Sequence, residues 1–186
     1  MASNVTDVSI CSNALGLLGE DPITALSDDS ERARLANRWY EITRDALIQD
    51  HPWNFALERV ELAKLVTTPS FEYGVSFQLP SDHLRIVKVE SGEAYKVEGD
   101  ILLSDEGSEK ILYIKRLTDP TRFSPLFVMA LQAQLAMIFA QALVGKQSLQ
   151  GQMAQLSQYW LGRARTSDAL EGSKDYVEAK DLSEVR

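Results

Sequence analysis

Apolar residues at the start of the chain recur every three or four positions. Thr6 and Asp7 stand where a helix is capped, with Val8, Cys11, Ala14, Leu15 and Leu18 on one face and Gly19 as the stop. After a linker of turn residues around Pro22, a second helix is predicted from about Asp29 to Gln49. Its buried stripe would be Leu35, Trp39, Ile42 and Ala46, with Leu47 at the margin. Arg32, Arg34, Arg38 and Arg44 alternate with acids and read as a solvated, salt-bridged side rather than a basic patch. Pro52 disfavours helix at His51 and ends the element.

From Trp53 to Asp119 the period tends towards two. "FQLPSDHLRIVKVE" reads as an extended segment, a turn at Pro80–Asp82 and a strand over Leu84–Val89. "EAYKVEGDILLSD" reads as two short strands about a hairpin at Gly99–Asp100, and "EKILYIKRL" as a further strand carrying Ile111 and Tyr113. Ala56–Val66 fits a short helix or a strand equally. Helical periodicity returns at Pro125, which suits a helix's first turn, and runs to Val144 before Gly145. A fourth helix is predicted over Ser148–Leu170, ended by Gly172. The fold class expected is therefore mainly α with an inserted small antiparallel β subdomain (α+β), on a helical bundle of about four helices. Residues 1–55 and 120–171 would form the discontinuous bundle, 56–119 the β insertion and 172–186 a C-terminal arm, either mobile or ordered by a partner.

Charge changes the picture most between Ser124 and Gly162. A quarter of the 186 residues are charged, yet this stretch holds only Lys146. The third helix is apolar nearly all round and reads as the core helix. Leu126–Val144 has the length of a membrane span, but Gln132, Gln134 and Gln141 interrupt it and no basic flank marks it, so no span is expected. The fourth helix offers Gln152, Gln155 and Gln158 where Lys and Glu are usual. Interface cores are depleted of charge, and Gln is cheaper to desolvate than an ion, so these three residues are candidates for a contact with another subunit. The segment "TTPSFEYGVSFQLP" supplies Phe71, Tyr73 and Phe77 as further candidates; aromatics on a loop either anchor a partner or fold back on the sheet.

Candidate chemistry is thin. No P-loop, GxGxxG, GxSxG or HExxH motif occurs, and the two histidines, His51 and His83, lack a ligand pattern. Cys11 reads as a small core residue. The acid pairs Asp28/Asp29 and Asp105/Glu106 sit where caps and turns explain them. A net charge of −8 argues against nonspecific attraction to nucleic acid. No enzyme, cofactor or metal is expected, and the N-terminus has no secretory leader pattern.

"ICSNALGLLGEDPITAL" followed by "ERARLANRWYEITRDALIQDHPWNFALERVEL" resembles the N-terminal half of the head–tail adaptor proteins of short-tailed bacteriophages, the tail tubular protein A family. "FQLPSDHLRIVKV" and "DPTRFSPLFVMAL" continue the likeness, which covers roughly residues 8 to 172, with "HPWNFA" its most specific part. The resemblance implies a structural virion protein made in the host bacterial cytoplasm and placed at the head–tail junction. It would form a homo-oligomeric ring of about twelve copies between the phage portal protein and the tail nozzle protein. DNA would cross the ring's channel on ejection without specific binding. Neutral third and fourth helices would suit lateral packing in such a ring, and Tyr176, Val177 and Leu182 of the arm would order on the portal. The resemblance carries no catalytic residues. A cellular helical protein–protein interaction module is the other reading, and an uncharacterised hydrolase the third.

Overall fold

The computed structural model describes residues 5–145 and 147–171. Four α-helices, α1 (Asp7–Gly16), α2 (Glu31–Asp50), α3 (Pro125–Phe139) and α4 (Gln147–Leu170), flank seven short strands. These are β1 (Leu57–Glu61), β2 (Ala63–Lys64), β3 (Val75–Gln78), β4 (His83–Val89), β5 (Lys96–Glu98), β6 (Ile101–Ser104) and β7 (Lys110–Lys115). The fold class is α+β. Ala56–Val66, open in sequence, is a 3₁₀ turn running into β1 and β2.

Local chemistry accounts for the helix ends. Thr6 and Ser9 form a reciprocal capping box at α1, satisfying two amides that the helix leaves unbonded. Ser30, not Asp29, caps α2 by accepting from the Ala33 amide. Asp28 instead accepts from the Thr24 and Ala25 amides and closes the preceding turn. Ser124 caps α3, with Pro125 in its first turn. Past Phe139 the helix widens into a π-helical turn, Ala140–Val144, which Gly145 ends at φ 65°, a conformation glycine adopts without strain.

The strands form two antiparallel sheets, of order β1-β7-β4 and β2-β3-β6-β5. Between β1 and β2 the chain passes from one sheet to the other at buried Leu62, whose amide donates to the Glu109 carbonyl. Leu62, Phe77, Leu79, Val89, Leu102, Ile111 and Tyr113 form a core shared by the two sheets. The helices enclose a second, larger core that also takes Ile114 and Leu117. Alternation along β7 therefore sends Ile111 and Tyr113 to one core and Ile114 to the other.

Within the helical core α3 is the central element, packed by α1, α2 and most extensively by α4. Pro125–Val144 is long and apolar enough to cross a membrane, with a mean hydropathy of 1.8, and half of that apolar window is buried inside this fold. Trp53 is fully buried, stacks on Phe55 and meets Phe127 edge-on at 5.1 Å between centroids. Its indole N–H donates to the Leu47 carbonyl. It thus ties the end of α2 to α3 where the chain turns into the sheets. Truncating such a side chain to Ala costs about 3–5 kcal/mol.

The buried face of α2 differs from the expected stripe. The α2 residues that face the core are Ala33, Ala36, Tyr40, Thr43, Arg44, Leu47 and Ile48. Leu35 and Trp39 sit half-buried at the edge, while Ile42 is 62% exposed and Ala46 is exposed too. Ala33 and Ala36 are fully buried, and their small size suits helix packing on this side rather than on the bulkier stripe. Arg44, expected on a solvated side, is buried with its guanidinium on Asp45 and its charge over the Tyr40 ring.

Candidate interaction surfaces

The outer face of α4 follows from helical spacing. Met153, Ser157, Leu161 and Ala164 turn inward, and the Ser157 hydroxyl donates to Gln134 Oε1 of α3 at 2.7 Å. Gln150 donates to Gln141 Oε1 at 3.0 Å. The opposite face carries Gln152, Gln155, Gln158, Tyr159 and Gly162, all exposed. From Gln147 to Gly162 the helix has no charged side chain. Beside this face Tyr159 and Leu170, 53% and 81% exposed, border an open hollow with Leu126 at its wall. The glutamine row itself can lose apolar area and amide groups to a partner without desolvating an ion, whereas the hollow is bordered by Arg163, whose guanidinium donates to the Tyr159 hydroxyl.

The loop between β2 and β3 has been sorted by the fold. Phe71 lies at its tip and is 79% exposed. Tyr73 is half-buried. Glu72 between them adopts φ 73°, a left-handed conformation unusual for a side-chain-bearing residue. The Ser76 hydroxyl donates to the Thr67 carbonyl, and the Gly74 amide donates to Asp105 at 2.8 Å, which anchors the loop's base. Phe77 is not a surface candidate: it sits in β3 with no exposure, alternation pointing it with Val75 into the sheet core. Tyr176, Val177 and Leu182 lie outside the described residues.

The histidines have separate structural partners. His51 Nε2 lies 3.1 Å from Asp168 Oδ2 near the end of α4. The same carboxylate accepts from the Asn54 amide, and the Asn54 side chain donates to the Asp168 carbonyl. Arg165 pairs with Asp50 one turn earlier. The "HPWNFA" stretch therefore clasps α4 to the corner after α2, a polar lock the sequence reading missed because its halves lie 114 and 117 residues apart. His83 Nδ1 lies 3.0 Å from the Pro80 carbonyl and helps to close that turn. Among the described residues no group of three or more His, Cys, Asp or Glu side chains is arranged to hold a metal ion. Cys11 is buried against α3, and burial first, then the negative Asp7, pushes its thiol up to about 12.

Compared with known proteins, the chain matches no protein-family model and no curated protein sequence.

Proposed function

We propose that this protein is a non-enzymatic structural component of a short-tailed phage virion, a head-to-tail adaptor that forms a ring between portal and tail nozzle around the DNA channel. The observation that carries the reading is the exposed, charge-free face of α4, centred on Gln155. The likeness of the "LGEDPI", "HPWNFA" and "FQLPSDHLRIVKV" stretches to tail tubular protein A adaptors supports assigning that face to a portal-bound ring. Packing charge-free helices side by side suits a ring, in which every copy makes the same contact with its neighbours. Phe71 at its loop tip is a second anchor, an exposed aromatic held by a loop with a tied base.

The experiment is binding to portal rings encoded in the same genome, with the added mass read by native mass spectrometry. Addition of about one copy per portal subunit is expected. A folded, monodisperse sample that adds no mass removes the adaptor role and leaves a helical interaction module without a virion function.

A further inference from the structure

Two surfaces of opposite charge lie on different parts of the chain. The first is on the face of the three-stranded sheet that carries Ile114, in the rows beyond those the helices cover. Register places Arg59, Leu112 and Lys88 in one row across β1, β7 and β4. They line a groove of about 390 Å³ together with Lys110, Glu61 and Glu90. Lys110 pairs with Glu90 at 3.1 Å, whereas Arg59 and Lys88 have no ion-pair partner among the described residues. Arg85 of β4 is a further exposed cation on this strand. In a chain of net charge −8, unpaired positive charge is gathered on one sheet face.

The second surface is a pocket of about 420 Å³ between the start of α1, the middle of α2 and the connector after β7. Asp7, Glu41 and Asp119 line it against a single guanidinium, Arg44, which shares Asp45 with Arg116. Hydrogen bonds from the Thr121 hydroxyl and amide hold the Asp119 carboxyl below its usual range, so it is charged near neutral pH. Tyr40 also lines the pocket, is 3% exposed, and its hydroxyl has no hydrogen-bond partner among the described residues. Burial keeps that phenol protonated well above its ordinary range, with Arg44, Asp7 and Glu41 as charged neighbours. Leaving a buried hydroxyl unmet is costly unless a ligand completes it. Carboxylates and a phenol oxygen are acceptors, which is the set a guanidinium or ammonium group needs, since these groups only donate.

We infer that these surfaces meet between copies: the Arg59/Lys88 row of one copy docks on the Asp7/Glu41/Asp119 pocket of the next. Charge complementarity selects the occupant. The contact joins two different patches, so it is head-to-tail and propagates into a ring or filament rather than stopping at a two-fold dimer. Nucleic acid fits the basic row less well, because Glu61 and Glu90 alternate with its cations and would face phosphates. The inference goes beyond the proposed adaptor role, because the contact needs neither portal nor virion.

Self-association of the full chain, followed by sedimentation velocity from low to high salt, tests it. The wild type is expected to associate at low salt and to weaken at least about tenfold as screening shortens the reach of the charges. Glu41→Lys and Arg59→Glu should each weaken association about tenfold or more, and the double variant should recover most of that loss. Circular dichroism checks folding, and the salt series on the wild type stands if a variant fails to fold. A wild type that stays monomeric, an association indifferent to salt, or a double variant as weak as the singles overturns the inference. So does duplex DNA binding that Arg59→Glu abolishes while self-association is unchanged. The portal experiment is independent of all these results, so failure of this contact and failure of the adaptor role are told apart.

Discussion

Cys11 carries the chain's only thiol, in a place that disables it. Only the thiolate attacks, and burial beside Asp7 raises the thiol from 9.0 to about 12. At pH 8 its alkylation in the folded protein is expected to run about a thousandfold slower than after denaturation, as mass spectrometry of quenched samples would show. Equal rates would place Cys11 at the surface. The same shift bears on stability. A raised folded-state value means that the contribution is complete below about pH 9 and is lost as pH climbs towards about 12. A difference of about three units corresponds to about 4 kcal/mol. Tyr113, raised to about 12 chiefly by burial, acts in the same direction. Base titration followed by tryptophan fluorescence should therefore unfold the protein within that window, and a fold intact at pH 12 would contradict the assignment. The burial of Cys11 was legible from its apolar neighbours. The role of Asn54 was not, because its partner Asp168 is distant in sequence and polar residues carry no periodic signal.

At the scale of elements, a helix's existence was easier to read than its orientation. Thr6, Pro125 and Gly145 act through local backbone chemistry, so all three marked boundaries correctly. The hairpin at Gly99–Asp100 was legible for the same reason: glycine takes φ 62° there, and β5 and β6 pair directly on either side. The face of α2 was misread because periodicity gives a stripe without saying which neighbour it meets. Leu35, Trp39 and Ile42 make an apolar row as regular as the one that is buried. Of the two readings open for Phe77, the fold takes the one on the sheet; proline, serine and glycine before it blur where β3 begins. For α4, alternation of inward Met153 and Ser157 with outward glutamines gives a direct prediction. Gln155→Glu adds one charge to an exposed position, so the fold should be unperturbed, within about 0.5 kcal/mol. Ring assembly on the portal should weaken by about tenfold or more, since an unpaired charge is buried at each contact. Electron microscopy of assembled rings would show the loss, and intact rings would remove α4 from the subunit boundary.

The described residues form two cores joined through one sheet, with β7 at its centre and Leu57 and Val60 of β1 and Leu84 and Val89 of β4 divided between the cores in the same way. The arrangement has a consequence for how the protein comes apart. β7 bonds to both neighbours in its sheet while its two faces serve different cores. The helical part cannot release Ile114 without disturbing the backbone that holds Ile111 and Tyr113. Melting is accordingly expected to be a single cooperative event, although the chain's organisation looks divisible. Ile114→Ala, a cavity of about 2–5 kcal/mol in the helical core, should lower hydrogen-exchange protection in distant β3 and β6 as much as in α3. Unchanged protection in those strands would mean that two units melt separately. Under single-event melting, a load on the sheets is resisted by the packing around α3, and the protein yields everywhere or not at all.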